Sequence, residues 1–599
     1  MNTQNKEKPL LWIMIATVLV VGVSILKYPE NIVNYYNSDA TWHTLLTIEA
    51  YSETPISDHL FLPIVTLGNN DDKGISWGST VPDTKGNYYY TSFSPAGYFL
   101  PWTFMKIFRL PVVERSLYIF NTVLFVLSAV LWIWLLSLIY KENKNVNIIM
   151  LIGLLTYVLS PELLHGMGIV YWHQSIMQVT LLIQVIAYYK IHESNTKISR
   201  MVFYMMSLIN PYIEWTGYVA NVGFALTELI LSWKKDRKLA LKRVLILGIL
   251  SMTSFALFVI HYLLRVDAYG FLVTLKSRFM ARNVTASIPI TDVFRGYIKS
   301  FAFFWVVLLV LIVWNFIRNR KVELKHGIWL LVLTFPLIEN VVMKEHAVAY
   351  TYDRMKGIFC LSFLICELSS NLMESLNRRI ITKISLISLS AVVGIMNLTA
   401  YVKNDTYIWE ANWREENEIL ADYLNKEYPN SVLGMEHAVR GYMNLLFGRG
   451  IFEHVNEDNI QRIASAKGET YAVLLDVGNN GAWNMYDLVG ATIYNVSDGS
   501  AESVVVKNGN VCKTEYPDQE YQLANWTDEN WTNGYSNTGS VLLFYRHERL
   551  LNELLSKENL IADENIYHIE NVDYDDTWIR VLVDKDASDC MYPTEIRIE

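Results

Sequence analysis

The sequence predicts a mainly α-helical multi-pass membrane protein with a C-terminal extracytoplasmic part of α/β and β-sandwich type. Three observations carry this. Of the 599 residues, 52% are hydrophobic, and mean hydropathy is positive at +0.20. The apolar residues gather in runs close to the roughly 20 residues that cross a bilayer. Those runs stop near Tyr401, and the remaining text has the composition of water-soluble protein. The net charge of −9 is segregated: Lys and Arg punctuate the short loops, and acidic residues crowd the last third. No basic stretch is long enough to serve a nucleic acid, so that partner class is excluded.

Taken in order, the runs predict about eleven spans. They cover residues 10–27, 115–140, 146–160, 173–190, 200–213, 216–233, 243–264, 298–317, 326–343, 355–373 and 381–401. Residues 1–8 are short and basic, and no small-residue cleavage site follows, which reads as an uncleaved first span. The fifth and sixth spans read as a tight hairpin broken at Asn210-Pro211, where proline removes a helix donor. Lys6 and Lys8 put the N-terminus inside a cytoplasmic membrane, and basic residues in the loops 141–144, 190–200, 234–243, 318–325 and 378–383 agree with alternation from there. The same alternation puts everything after Tyr401 outside. It also puts two basic loops outside, 265–299 and 344–356, against the usual bias. An outward-facing anion site supplies a reason.

The first outer loop, 28–111, opens with Asn37-Ser38-Asp39-Ala40-Thr41-Trp42-His43. Asn37-Ser38 reads as a helix N-cap with Asp39 in the first turn, where the helix dipole favours a carboxylate. The helix is expected to run to about Tyr51, with Asp39 and His43 on one stripe. An ionised carboxylate held there either caps the helix or accepts a proton from a hydroxyl nucleophile. His43 either orients Asp39, binds an acceptor, or is a plain core histidine. Turn signals follow at Asp71-Asp72-Lys73-Gly74 and Pro82-Asp83-Thr84-Lys85-Gly86. The loop closes with Tyr88-Tyr89-Tyr90-Thr91-Ser92-Phe93-Ser94-Pro95-Ala96-Gly97 and an apolar, aromatic run 98–108, too short to span and suited to the membrane interface.

Further candidates lie at the mouths of later spans. Glu162, His165 and His173 flank the second outer loop, and Glu214 follows Pro211. An acid at that depth is costly unless paired or wetted, so Glu214 either lines a cavity or satisfies backbone groups freed by Pro211. Lys276, Arg278 and Arg282 fall within two helical turns of one basic loop. His346, Arg354 and Lys356 belong to the other. Cations beside apolar walls suit a lipid-linked phosphate; the bland alternative is side chains snorkelling to ordinary headgroups.

A first span, a long loop with an acid just past it, interfacial helices and a Tyr/Pro/Gly motif resemble the GT-C class of integral-membrane glycosyltransferases. Protein mannosyltransferases and aminoarabinose lipid transferases belong to that class. The resemblance rests on Asp39, the stretch 88–101, and Arg115 with Asn121. It implies a catalytic role for Asp39, with His43 beside it. It implies donor-phosphate contacts from His346, Arg354 and Lys356, and less directly from Arg278 and Lys276. A substrate cavity would be lined by Tyr90, Ser94, Glu162, His165 and Glu214. The class often shows two adjacent acids; here Ala40 follows Asp39, which leaves divalent-metal use open.

The C-terminal part reads as two pieces. Residues 404–500 alternate helices (409–427, 438–446, 459–466) with strands (431–435, 470–477), a small α/β unit. Residues 501–599 are strand-rich, with one helix near 548–557, and read as a β-sandwich-like accessory domain. The segment Asn525-Trp526-Thr527-Asp528-Glu529-Asn530-Trp531 combines turn formers and aromatics, as a glycan-binding surface or a tryptophan-anchored turn does. Of the four cysteines, Cys360 and Cys366 fall in a span; Cys512 and Cys590 can pair if this region is outside the cell.

The expected activity is therefore transfer of a sugar from a polyprenyl-phosphate carrier to a surface glycan or glycolipid on the outer face of the membrane, with residues 1–403 as the catalytic domain. Alternatives are a polymerase or ligase using a lipid diphosphate, a glycolipid transporter, and a non-catalytic glycan-binding scaffold. A transporter predicts internal repeats and broken spans, and the sequence shows no repeat.

Overall fold

The computed structural model describes residues 8–27, 34–35, 37–67, 79–285, 288–320, 323–375, 380–403, 408–409, 413–436, 439, 441–477, 489–507, 509–514, 523–527, 540–545, 548–562, 565–574, 578–584 and 596–598. The chain divides into two compact units, one from Met1–Asn70 and Ser76–Trp409, the other chiefly from Glu410–Glu599.

The first unit is helical. Among the described residues, five helices are long and apolar enough to cross a membrane: Pro9–Lys27, Glu114–Ile139, Arg237–Leu263, Gly357–Ser375 and Ile380–Val402. Two bent pairs, Val146–Val158 with Pro161–Ile169 and Ile290–Phe301 with Phe304–Arg318, raise the number to seven if each is one span. The expectation of eleven therefore meets helices in every predicted place but fewer that pass by length and hydropathy. His173–Glu193 carries Gln174, Gln178 and Gln184, all buried, which lowers its hydropathy without taking it out of the core. Gly357–Ser375 is almost wholly enclosed, whereas Leu245, Ile249 and Met252 of Arg237–Leu263 face outward. Contiguous exposed aliphatic faces of this kind belong against lipid.

The hairpin at Pro211 differs from expectation. The helix Lys197–Ile213 runs through the proline and breaks at Glu214, which is extended (φ −158°, ψ 150°). Proline fails to donate to the carbonyl four residues back, that of Ser207. That carbonyl accepts instead from Asn221 Nδ2 at 2.7 Å. The next helix, Thr216–Ser232, is capped by Glu214, whose Oε2 accepts from the Thr216 N–H at 2.8 Å. Gly217 makes the hinge possible: a Cβ there would lie 2.3 Å from the Asn210 carbonyl carbon.

Among its described residues, the second unit holds two six-stranded sheets. In the first the order is Asn510–Thr514, Ala501–Lys507, Val489–Asn495, Tyr471–Val477, Ser431–Gly434, Ile451–Phe452. The last three strands are parallel and the others antiparallel. This sheet takes strands from beyond residue 500, so the α/β unit extends to Thr514. The second sheet is antiparallel and single: Leu523–Thr527, Ser540–Tyr545, Trp578–Val583, Asn565–Tyr574, Asn559–Ala562, Ile596–Ile598. Among the described residues, its apolar side packs on the helix Glu548–Ser556 through Leu550, Leu551 and Leu554 rather than on another sheet. That corrects the β-sandwich reading. Residues 528–539, Asp71 to Gly74 and Cys590 lie outside the described residues, and with them most of the glycan-surface expectation and the Cys512–Cys590 pairing.

Candidate functional site

Asp39 is the second residue of the helix Ser38–Glu53, and its side chain is exposed. The helix starts as expected, but its cap works differently. Asn37 adopts the left-handed conformation (φ 61°) and makes no side-chain cap. Its amide reaches across the fold, donating from Nδ2 to Ala349 O at 3.4 Å and accepting at Oδ1 from Thr351 N and Oγ1, both at 3.3 Å. The start of the helix is thereby tied to the late loop 344–356. Tyr350 and Tyr352 of that loop lie within range of the Asp39 charge.

Below the acid is an aromatic floor. His43, one turn on, is buried against Tyr90 (ring centroids 4.5 Å apart), Trp172 (5.3 Å) and Tyr98 (5.6 Å). Burial, with a smaller contribution from His173, pushes its pKa down to about 3, so the imidazole is neutral near pH 7. Backbone acceptors hold the floor in place. Tyr262 OH donates to Tyr90 O and Phe93 O, each at 2.6 Å, and Trp215 Nε1 donates to Ser92 O at 2.9 Å. Ser94 is buried and accepts from the Ala96 N–H at 3.4 Å, opening the helix Ala96–Phe108. Gly97 leaves room for the His173 ring, which a Cβ would meet at 2.4 Å.

The cations sort by their partners. Arg354 is buried and spent on protein: it pairs with Glu162 Oε1 (3.0 Å) and donates to Ser300 Oγ (2.6 Å), Ala347 O (2.5 Å) and Val348 O (3.2 Å). Lys356 is buried too, paired with Glu339, bonded to Thr216 Oγ1 at 3.1 Å and 3.7 Å from Asp353 Oδ1. Asp353 also accepts from Gln174 Nε2 (3.0 Å) and Asn340 Nδ2 (3.1 Å). Burial would raise its pKa, but Lys356, His346 and Gln174 outweigh that and hold it well below the usual carboxylate range. Glu214 is pushed the other way, by burial first and by Glu339 next. Among the described residues, Glu214, Glu339 and Asp353 bring carboxylate oxygens within 4.8 Å of one another and form a group that could hold a metal. The Lys356 ammonium, however, already lies against two of them, Glu339 and Asp353, and an ion there would have to displace it.

Nearer Asp39 the arrangement is different. His346 packs at a tilt against Tyr350 (ring centroids 4.7 Å apart), lies 6.2 Å from the Phe93 ring, and has Nδ1 3.8 Å from Asp353. Lys276 is exposed and Arg278 half-buried. Arg282 is buried, 5.9 Å from the Phe93 centroid, hydrogen-bonded to Tyr90 and close to Tyr350 and Glu345. The second-loop candidates are placed away from solvent: Glu162 pairs with Arg354, and His165 is buried 6.3 Å from the Tyr401 ring. A cavity of about 590 Å³ opens among Trp215, Tyr218, Met252, Phe255, Glu339 and Val342, with almost entirely apolar walls. Trp215 and Tyr218 also border Ser92, Phe93 and Ser94, so these two rings stand between the cavity and the aromatic floor.

Residues 39, 90, 93, 282, 346 and 350 thus meet in one place. Sequence reasoning missed Glu339 and Asp353. Glu339 had a usable signal, since an acid inside an apolar run marks a buried partner.

Fold and site together define a helical membrane protein in which three loops converge on one exposed carboxylate. In structure the chain is similar to the Archaeoglobus fulgidus oligosaccharyltransferase in the apo form, at 12% identity and TM-score 0.47, covering 79% of this chain and 70% of that one. It is similar to the archaeal oligosaccharyltransferase AglB from Archaeoglobus fulgidus in complex with an inhibitory peptide and a dolichol-phosphate, at 12% identity and TM-score 0.46, covering 88% and 80%. It is also similar to ArnT from Cupriavidus metallidurans bound to undecaprenyl phosphate, at 9% identity and TM-score 0.48, covering 78% and 92%. These neighbours are GT-C glycosyltransferases, the class that Asp39 and residues 88–101 resemble. No protein-family model and no curated protein matches the chain.

Proposed function

We propose that this protein is a membrane glycosyltransferase that moves a sugar from a polyprenyl-phosphate carrier to a surface glycan or glycolipid. The reaction takes place on the outer face of the cytoplasmic membrane, with the Glu410–Glu599 unit on the same side. The observation that carries the reading is the exposed Asp39 carboxylate at a helix N-terminus, tied through Asn37 to a loop that presents His346 and Tyr350.

Asp39 accepts the proton of the acceptor hydroxyl as that oxygen attacks the anomeric carbon. The bond from that carbon to the phosphate oxygen breaks, its electron pair leaves on the phosphate, and configuration inverts. Negative charge grows on the departing phosphate, so a cation set there lowers the barrier. The apolar cavity beside Trp215 and Tyr218 suits the prenyl chain. His43, neutral and held among rings, shapes the floor on which the sugar lies rather than exchanging protons.

The test is transfer from a defined polyprenyl-phosphate sugar by purified protein, with products identified by mass. Asp39→Asn should lose about 10²- to 10⁴-fold in kcat, the range for removing a general base, and keep donor binding. Wild-type rates in that variant would refute the role of Asp39.

A further inference from the structure

Three cations from the two basic loops are buried in the first unit, and they differ in what their N–H groups meet. The guanidinium of Arg354 is enclosed by Glu162, Ser300 and two carbonyls. The three donors of Lys356 face Glu339, Thr216 and Asp353. Arg282 is only 6% exposed, yet its Nε has no acceptor among the described residues. A guanidinium carries five donors, and leaving buried donors unmet is costly. Its surroundings are aromatic: Tyr90 bonds it, the Phe93 ring lies under it, and Tyr350 stands close, with Glu345 as the nearby carboxylate. It also sits in a π-helical turn, Ala281–Thr285, that continues the helix Ala268–Met280. Such turns are common where a side chain must be re-aimed at a ligand.

We infer that Arg282, rather than Arg354 or Lys356, grips the phosphate of the lipid carrier, its unmet Nε–H being completed by a phosphate oxygen. The inference rests on the glycosyltransferase reading and deepens it. A sugar phosphodiester carries one negative charge, and the monoester left after transfer carries up to two. A planar fork of donors fits either and holds the second more tightly. Glu345 weakens the field at Arg282, which favours release of the spent carrier over permanent capture.

The experiment measures binding of farnesyl phosphate, farnesol and phosphatidylglycerol to the purified full-length protein in detergent, for wild type and Arg282→Gln. Wild type should hold farnesyl phosphate at least about tenfold more tightly than farnesol, and Arg282→Gln should bring the two within about twofold. Arg282→Lys should fall between, because an ammonium keeps the charge and loses the fork. If Arg282→Gln does not fold, the lysine variant decides: an unchanged ratio there overturns the assignment. A wild type that does not discriminate phosphate from alcohol overturns the lipid-phosphate reading, and the assignment of Arg282 with it. A wild type that discriminates, with Arg282→Gln still discriminating, overturns the assignment alone. Loss confined to phosphatidylglycerol also overturns it, since the residue would then serve a bilayer headgroup.

Discussion

Arg354 and Glu162 show how much a single buried pair can hold. Each comes from a different part of the chain, and Ser300 binds both. Removing one partner strands the other charge. Arg354→Ala should therefore destabilise the protein by about 3–5 kcal/mol, whereas replacing both with apolar residues should cost far less. Chemical denaturation of the purified protein reads the difference. His43 makes a second residue-level prediction. Its pKa falls from 6.5 to about 3 on burial, so between those values the unfolded chain binds a proton that the folded chain does not. Stability must rise with pH across that window, by up to about 1.4 kcal/mol per pH unit. Thermal unfolding between pH 4 and 7 should accordingly be less pH-dependent by about that amount in His43→Phe than in wild type. Neither effect was visible in the sequence. Glu162 and Arg354 are 192 positions apart, and no local pattern announces that two loops share a charge.

At the scale of elements, local rules did well and tertiary rescue escaped them. The helix Ser38–Glu53, the helix Ala96–Phe108 and most C-terminal helices and strands lie where periodicity and turn chemistry put them. Pro211 was expected to end its helix, and it does not, because Asn221 on the neighbouring helix supplies the missing donor. Asn221→Ala should leave the Ser207 carbonyl buried and unmet, at about 1–3 kcal/mol. Gly217→Val should be worse, since the added atoms meet backbone rather than a movable side chain. Thermal melts of both variants decide the order. The last domain was misread for a related reason. Alternation along Ser540–Tyr545 and Trp578–Val583 says that one face is buried, but not whether a sheet or the helix Glu548–Ser556 covers it.

At the scale of the whole molecule, the first unit is a bundle whose peripheral helices turn aliphatic faces outward and whose interior pairs Gln174 with Asp353, Gln184 with Ser207 and Glu339 with Lys356. Span positions were legible because composition alone marks them. The resemblance brought Asp39 and His346 to one expected site, but the place of Arg282 beside Phe93 and Tyr90 was not legible, since it depends on how separate loops fold over one another. The proposed orientation makes a direct prediction. In a cysteine-free background, Ser500→Cys, which is exposed, should react with a membrane-impermeant maleimide in intact cells, and Lys144→Cys should react only after lysis. The reverse pattern would move the second unit to the cytoplasm and with it the proposed acceptor.

Asn37 carries one more consequence. A single amide clasps the late loop by a carbonyl, an N–H and a hydroxyl, two residues before the carboxylate proposed as the base. The start of the helix and the late loop are thereby linked directly. On the proposed function, a carrier that drew this loop inward would bring the proton acceptor along, and reactivity would be coupled to the presence of the donor.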